Sequence, residues 1–318
     1  MISSILRNLK SLRRLWKYFY ADLVRYSNSV KPDGSSEEVA LRRRMIMACH
    51  QIEKGLGMPA PRLNFGQDVV NGLIQARSLY FLNPNKKQWA LDLSRDALLS
   101  YSNFHCGEAL LESKIKDHLG ADLEFSNKTG VLPVSKMSHS VTASSFDEFF
   151  LSRYSVRDFT TQSVDIEILK ECIKVASKTP SVCNRQPWRA IVVTDKNSVS
   201  KVMSYQTGCR GFVQGIPAVI VVFGDLSLMT TPWERNQPYI DGGMFSMSIA
   251  LALHSRGLGA VCLNLCHSIE MDREFHAFMN ANEWDVPIMM IAVGYSNENA
   301  KAGVSARLND ELVTTFVV

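Results

Sequence analysis

Four short runs beyond residue 187 constrain this chain more than any other feature. Pro217–Gly224 reads Pro-Ala-Val-Ile-Val-Val-Phe-Gly, a continuous apolar stretch bounded by turn residues, which is the pattern of a strand buried on both faces. Leu258–Asn264 and Pro287–Tyr295 repeat that pattern, and Trp188–Thr194 is rich in β-branched residues. Asp241–Arg256 reads as an apolar helix that stops at Gly257. Helical stretches at 146–152 and 165–178 precede the first strand. This order is not a run of βαβ units. It predicts an α+β fold whose mixed or mainly antiparallel sheet is flanked by helices. The last six residues, Val313–Val318, form a β-prone tail with no partner strand of its own, and such an edge asks for one, in another subunit for example.

The N-terminal half has a different texture. Ile2, Ile5, Leu9, Leu12, Trp16, Phe19, Leu23 and Tyr26 recur at alternating spacings of three and four, one apolar stripe along a helix of about seven turns. Residues 1–26 carry Arg7, Lys10, Arg13, Arg14, Lys17 and Arg25 against Asp22 alone, a net +5. The whole chain is +4, so the body is near neutral and its pI says little about a substrate. The stripe is expected to pack on the body or on another helix through its heptad seam. The competing reading lays the helix on an anionic membrane surface, with Trp16 and Phe19 inserted. Residues 27–36 read as a polar breaker, and Ser36 as the cap of the next helix. Residues 27–145 read as mostly helical, with patterns at 67–82 and 87–119 and a linker at 120–145. Within 50–66, His50, Glu53 and Lys54 share one helical face. They are read either as a polar cluster over a site in the C-terminal half or as a local ion pair with a half-buried histidine.

Several classes are excluded. With 46% hydrophobic and 21% charged residues in 318, the chain is neither disordered nor collagen-like. No run of about 20 apolar residues predicts a membrane span. An apolar core followed by a small-residue cleavage site is missing at the N-terminus, so no secretory signal is read. The seven cysteines are odd in number and lack a Cys-x-x-Cys pair, which predicts reduced thiols in a cytoplasmic protein. Cys262, Cys266 and His267 lie close together, but no second ligand pair accompanies them and no metal site is read. A basic patch backed by a known nucleic-acid module is also missing. Gly257-x-Gly259 precedes a strand, whereas a dinucleotide fingerprint follows one, and neither a phosphate-binding Gly-Lys-Ser/Thr loop nor a Gly-x-Ser-x-Gly elbow occurs.

Three patches carry chemistry. Arg153-Tyr154-Ser155-Val156-Arg157 sets two guanidinium groups and a hydroxyl within five residues, donors suited to a phosphate. Pro180-Ser181-Val182-Cys183-Asn184-Arg185-Gln186-Pro187-Trp188 is a rigid, amide-rich loop at a strand entrance. Gly303-Val304-Ser305-Ala306-Arg307 follows the last core strand. Alone, the first reads as a solvated basic turn, the second as a strand-entry turn with Trp188 in the core, and the third as a lone basic residue in a mild context.

Taken in order, these patches resemble the nitroreductase family of FMN-dependent oxidoreductases over about residues 146–318. The family's Arg-x-Ser-x-Arg/Lys-x-Phe segment is matched by Arg153, Ser155, Arg157 and Phe159. Its Pro-Ser-x-x-Asn-x-Gln-Pro-Trp loop is matched by Pro180, Ser181, Asn184, Gln186, Pro187 and Trp188. Asp241-Gly242-Gly243 through Gly257-Leu258-Gly259 looks like its central helix and exit, and Arg307 falls where a phosphate-binding arginine stands.

The resemblance implies an FMN site in which Arg153, Tyr154, Ser155, Arg157, Ser305 and Arg307 bind the cofactor, with Arg157 first and Arg210 second as the cation near the ring. It implies that Pro180, Ser181, Val182, Asn184 and Gln186 complete the site across a homodimer interface. Backbone groups of Leu263, Asn264 and Leu265 would face the flavin, although many members carry Glu-Gly where this chain has Asn264-Leu265. The short insertion at 225–240 implies an open pocket, or a roof from the N-terminal half. The implied activity is ping-pong hydride transfer from NADH or NADPH to a small organic acceptor, with the flavin and no side chain as the catalytic group. Alternatives are a flavin-dependent oxidase, dehydrogenase or dehalogenase acting on a biosynthetic intermediate, polysaccharide-related for instance, or a membrane-surface scaffold with a vestigial flavin fold.

Overall fold

The computed structural model describes residues 2–30, 37–107, 109–126, 129–131, 141–209 and 211–317, the side chains of 2–11, 14 and 109–111 excepted. Arg210 and Ser36, named above, lie outside the described residues, as do parts of the 27–36 and 120–145 segments.

The C-terminal half is built on a four-stranded sheet of β1 (Trp188–Val193), β2 (Ala218–Asp225), β3 (Gly259–Leu263) and β4 (Asp285–Gly294) in the order β1-β2-β4-β3. Every pairing among these strands is antiparallel, one of the two arrangements, mixed or mainly antiparallel, that the sequence pattern allows. β2 is central, and Ala218 to Phe223 are fully buried. Its alternate residues feed two separate cores. Val219, Val221 and Phe223 pack with Phe275 and Met290 on one face, whereas Ala218, Ile220 and Val222 pack with Phe245, Ile249 and Leu253 on the other. That second layer is α9 (Gln237–His254), which starts four residues before the expected Asp241 because Pro238 fits its first turn. Flanking the sheet are α6 (Ala143–Leu151), α7 (Ile166–Ala176), α8 (Lys196–Ser204) and α10 (Ile269–Phe278). Of these, α8 and α10 were not anticipated: each is short and announced mainly by its cap, Asp195 and Ser268.

The N-terminal half is a helical unit with a core of its own. Here α2 (Glu37–Leu56), α3 (Gln67–Leu82), α4 (Gln88–Phe104) and α5 (Ala109–Leu119) bury Met45, Ile52, Leu73, Tyr80, Leu98, Tyr101 and Ile115. The pattern at 87–119 resolves into two helices. Gly107, at φ +101°, takes a conformation no helix contains, and buried His105 ties the break to the chain through Tyr101 O and Asn64 N. Described parts of 120–145 do not run free as a linker. Asp122 bonds Arg77 and Arg95, Ser126 bonds Asp96, and Gly130 N donates to Glu53.

The first helix, α1 (Ile2–Val30), is longer than expected. It continues through Ser27–Val30 where a breaker was read, and Ser29 is buried with its hydroxyl on Arg25 O. Its contacts to the body differ from the expected seam. Lys17 pairs with Glu270 at 3.1 Å, Arg25 with Asp272, and the Tyr26 hydroxyl donates to Thr231 O at 2.5 Å. The apolar stripe at Leu12, Trp16, Phe19 and Leu23 is exposed.

The two halves are locked by Arg43 of α2. Its buried guanidinium donates to Ser227 O at 2.6 Å and Met229 O at 3.0 Å in the segment after β2. Replacing Arg43 by Ala strips both carbonyls of a charged donor, and we expect a stability loss of about 2–4 kcal/mol. A urea titration checks it; an unchanged midpoint would show that this contact does not join the halves.

Candidate functional site

The arginine segment is held to the sheet edge by backbone. Val156 N donates to Ala260 O at 3.1 Å, and Ser155 bridges Ala260 in parallel. Two glycines allow this approach. Gly257, at φ +72°, ends α9 in a left-handed turn, with Leu258 N on Leu253 O. A Cβ on Gly259 would lie 2.8 Å from Val156, so a side chain there would push the segment off β3.

Arg153 is half-buried and lines a cleft of about 380 Å³ with Tyr154, His254, Asn297 and Lys301. Burial pushes the Cys262 thiol up, and the nearby Arg153 guanidinium partly offsets that. Among the described residues neither Arg153 nor Lys301 is ion-paired with a carboxylate, so two cations from separate segments border one cleft, whose lining also includes Glu298. Lys301 was missed by sequence reasoning; its signal was a second basic residue in the stretch that also holds Arg307. Arg157 and Arg307 do not line this cleft. Both are exposed, and each guanidinium turns onto a carbonyl of its own segment, Ser155 O and Ser305 O. Ser305 is exposed at φ +54°.

The Pro180–Trp188 loop lies at the opposite edge of the sheet, where it leads into β1. Cys183, Asn184 and Gln186 all sit in the left-handed region, at φ +48°, +51° and +50°. Such conformations cost on the order of 1–3 kcal/mol each for residues other than glycine, less for Asn, and persist only where the surroundings enforce them. Here the enforcement is visible. Fully buried Asp241 of α9 accepts from Val182 N at 3.1 Å, and Ser181 Oγ accepts from Gln186 N at 2.9 Å. Arg185 is 1% exposed and forks onto Glu234 at 2.5 and 3.2 Å, with a further bond to Leu228 O at 2.7 Å. Burial alone would raise the Glu234 carboxyl; the Arg185 and Thr230 donors reverse this and hold it down at about 2. Arg185, Glu234 and Asp241 are thus positioning residues; the sequence reading held Arg185 and Asp241 within its motifs but gave none of the three a role.

Asn184 and Gln186 are exposed and line a second cleft of about 450 Å³. Its other wall comes from the helical half, with His50, Glu53 and Trp89, and its floor includes Arg189, Asp225 and Asp285. Burial raises Asp225, the Ser227 hydroxyl counters it, and Asp285 raises it further. His50 Nδ1 stands 3.9 Å from Glu53, whose other oxygen takes Gly130 N. The pair therefore overlooks the loop, while Lys54 is exposed and lies outside the lining. In one protomer the two clefts share no residue, so a single chain does not gather the arginine segment and the loop into one site. The turn Leu263-Asn264-Leu265 ends β3, with Asn264 exposed and its carbonyl accepting from Gln206.

Comparison with known proteins agrees with the motifs. The nitroreductase family model matches residues 151–206. A protein assigned as NADH dehydrogenase/NAD(P)H nitroreductase from Methanothermobacter thermautotrophicus is 28% identical over 154 residues, 48% of this chain and 78% of that one. An iodotyrosine deiodinase from Haliscomenobacter hydrossis is 23% identical over 181 residues, 48% of this chain and 80% of that one. Among solved structures, an FMN-dependent nitroreductase from Clostridium difficile is 25% identical and superposes with a TM-score of 0.43, over 51% of this chain and 91% of that one. The C-terminal half of the chain is nitroreductase-like.

Replacing Arg185 by Ala would leave the half-buried Glu234 carboxylate without its guanidinium and the Leu228 carbonyl without its donor, at a cost of about 2–4 kcal/mol. Glu234→Gln tests the charge. The folded pKa of Glu234 lies below its ordinary 4.5, so its stabilisation is complete above about pH 4.5 and is lost as pH falls toward 2. In Glu234→Gln that part of the acid-side slope should vanish, as read from urea midpoints across this range; an unchanged slope would remove the carboxylate from the account.

Proposed function

We propose that this chain is an FMN-dependent oxidoreductase that works as a homodimer, taking hydride from NADH or NADPH and delivering it to a small organic acceptor. The observation that carries this reading is the cleft bordered by Arg153 and Lys301, two cations from separate segments without an ion-paired carboxylate, beside the β3 edge where Gly259 lets the arginine segment approach. A phosphate dianion matches that donor set. Bound FMN would supply reversible hydride acceptance at its ring. The protein's part is to bind and orient. Arg153 and Lys301 would hold the phosphate, with Ser155 turning in from the adjoining backbone and Arg157 and Arg307 swinging from their present carbonyls to join them, and the Leu263–Leu265 turn would present backbone groups to the ring.

The loop at 180–186 would serve the partner's cofactor. Support for this comes from α9, whose sequence is apolar on all sides, as expected of a helix covered all round. Phe245, Ile249 and Leu253 are buried, whereas Ile240 and Met244 stand exposed on the other face. A second protomer on that face would cover them. The nitroreductase names of the relatives support the nicotinamide donor. Reductive dehalogenation is the second reading, since two of the matched relatives are iodotyrosine deiodinases. Stopped-flow reduction by NADH and NADPH separates the two: rapid reduction by nicotinamide supports the first reading, and inert flavin the second.

The purified protein should show the visible absorption bands of oxidised flavin. Arg153→Ala should weaken FMN binding roughly 10- to 150-fold, the equivalent of about 1.5–3 kcal/mol for one charge-assisted contact. A colourless protein with no thermal shift on adding FMN would overturn the proposal. Ile240→Asp with Met244→Asp should yield monomers by sedimentation velocity and release the flavin together, whereas monomers that keep their flavin would refute a shared site.

A further inference from the structure

The rotation of α1 about its axis is fixed by three contacts. Lys17–Glu270, Arg25–Asp272 and Tyr26–Thr231 hold the sector that includes half-buried Tyr18 and Ala21 and buried Ser29 toward the body. The opposite sector then faces outward, and it holds Leu12, Trp16, Phe19 and Leu23, each between 60% and 69% exposed. Leu15 and Tyr20 extend the strip on either side. Large apolar side chains in one contiguous exposed row are not a solvated surface; they mark a face that something covers.

Charge identifies what covers it. Lys17 and Arg25 are compensated by the acids of α10, but Arg7, Lys10, Arg13 and Arg14 belong to the same helix, and its one acid is Asp22. With Lys17 and Arg25 compensated, a second copy of the helix would still bring a net +3 against a net +3. A surface rich in anionic headgroups takes up the apolar row, with Trp16 at the interfacial depth indoles prefer, and attracts the helix through its net positive charge over about a Debye length. No described helix is long and apolar enough to cross a bilayer, so the fit is to the surface.

We propose that α1 is a membrane-surface helix that docks this protein on anionic phospholipid through Leu12, Trp16, Phe19 and Leu23. The anchoring contacts to α10 make the helix a rigid foot of the C-terminal half, not a free tail. Substrate would then be reached at or near a lipid surface.

The full-length protein is tested by flotation with vesicles of phosphatidylcholine alone and of phosphatidylcholine with phosphatidylglycerol. It should float with the anionic vesicles, about tenfold or more less with the neutral ones, and detach at high salt. Trp16→Ser/Phe19→Ser/Leu23→Ser should lower anionic-vesicle binding about tenfold or more. Circular dichroism and flavin absorption, where flavin is present, should match the parent. Failure to float on anionic vesicles, or equal flotation of the triple variant, overturns the proposal. So does a triple variant whose only change is a smaller oligomer by sedimentation velocity, which would assign the stripe to contacts between copies. A protein that floats but binds no FMN upholds this inference while defeating the flavin assignment, so the two failures are distinct.

Discussion

Two buried guanidinium groups hold the molecule together at one place. Arg43 reaches in from the helical half and Arg185 from the strand-entry loop, and both donate to carbonyls of residues 227–229. Glu234 neutralises one of them through a forked pair. The short segment after β2 therefore serves as a common anchor for the loop, the sheet and α2. Its brevity matters: a longer insertion between β2 and α9 would not present its carbonyls in so tight a turn. The helical half can then wall the cleft beside Asn184 and Gln186 because Arg43 brings α2 there.

Most of the sheet was legible from sequence because its two central strands are largely buried on both faces, and burial of that kind leaves an unbroken apolar run. β2 shows it best: the predicted Pro217–Gly224 and the observed Ala218–Asp225 differ by one residue. β4 begins two residues early, at Asp285, because the acid that opens it is buried against Arg189 and does not look like strand. α8 and α10 were hidden by their brevity and polar faces. The break at Gly107 was hidden because helical periodicity continues on both sides of it.

The site was legible in its parts and not in its assembly. Arg153, Asn184 and Gln186 line clefts, as a functional reading expects, but on different sides of the sheet. Sequence spacing cannot report that Arg157 and Arg307 turn onto their own carbonyls. Nor can it single out Arg185 and Glu234, which look like ordinary surface charges until burial and a fork geometry bring them together. Lys301 was concealed by the same logic, since its one signal, a second basic residue in the stretch that holds Arg307, does not report which cleft it borders. For α1, periodicity gave the helix and its stripe correctly, but the side that faces the body was chosen by ion pairs to residues about 250 positions away.

The left-handed turns at Cys183, Asn184 and Gln186 are adopted by the folded chain itself. Whatever this loop touches meets it in final form and loses little freedom on contact, which favours tight association. The arrangement has a reverse side. The strain is borne by the fold, so stability and affinity draw on one source. A change that loosens the guanidinium anchor, even one remote from the clefts, lets the loop relax to ordinary angles and so weakens recognition before it unfolds anything.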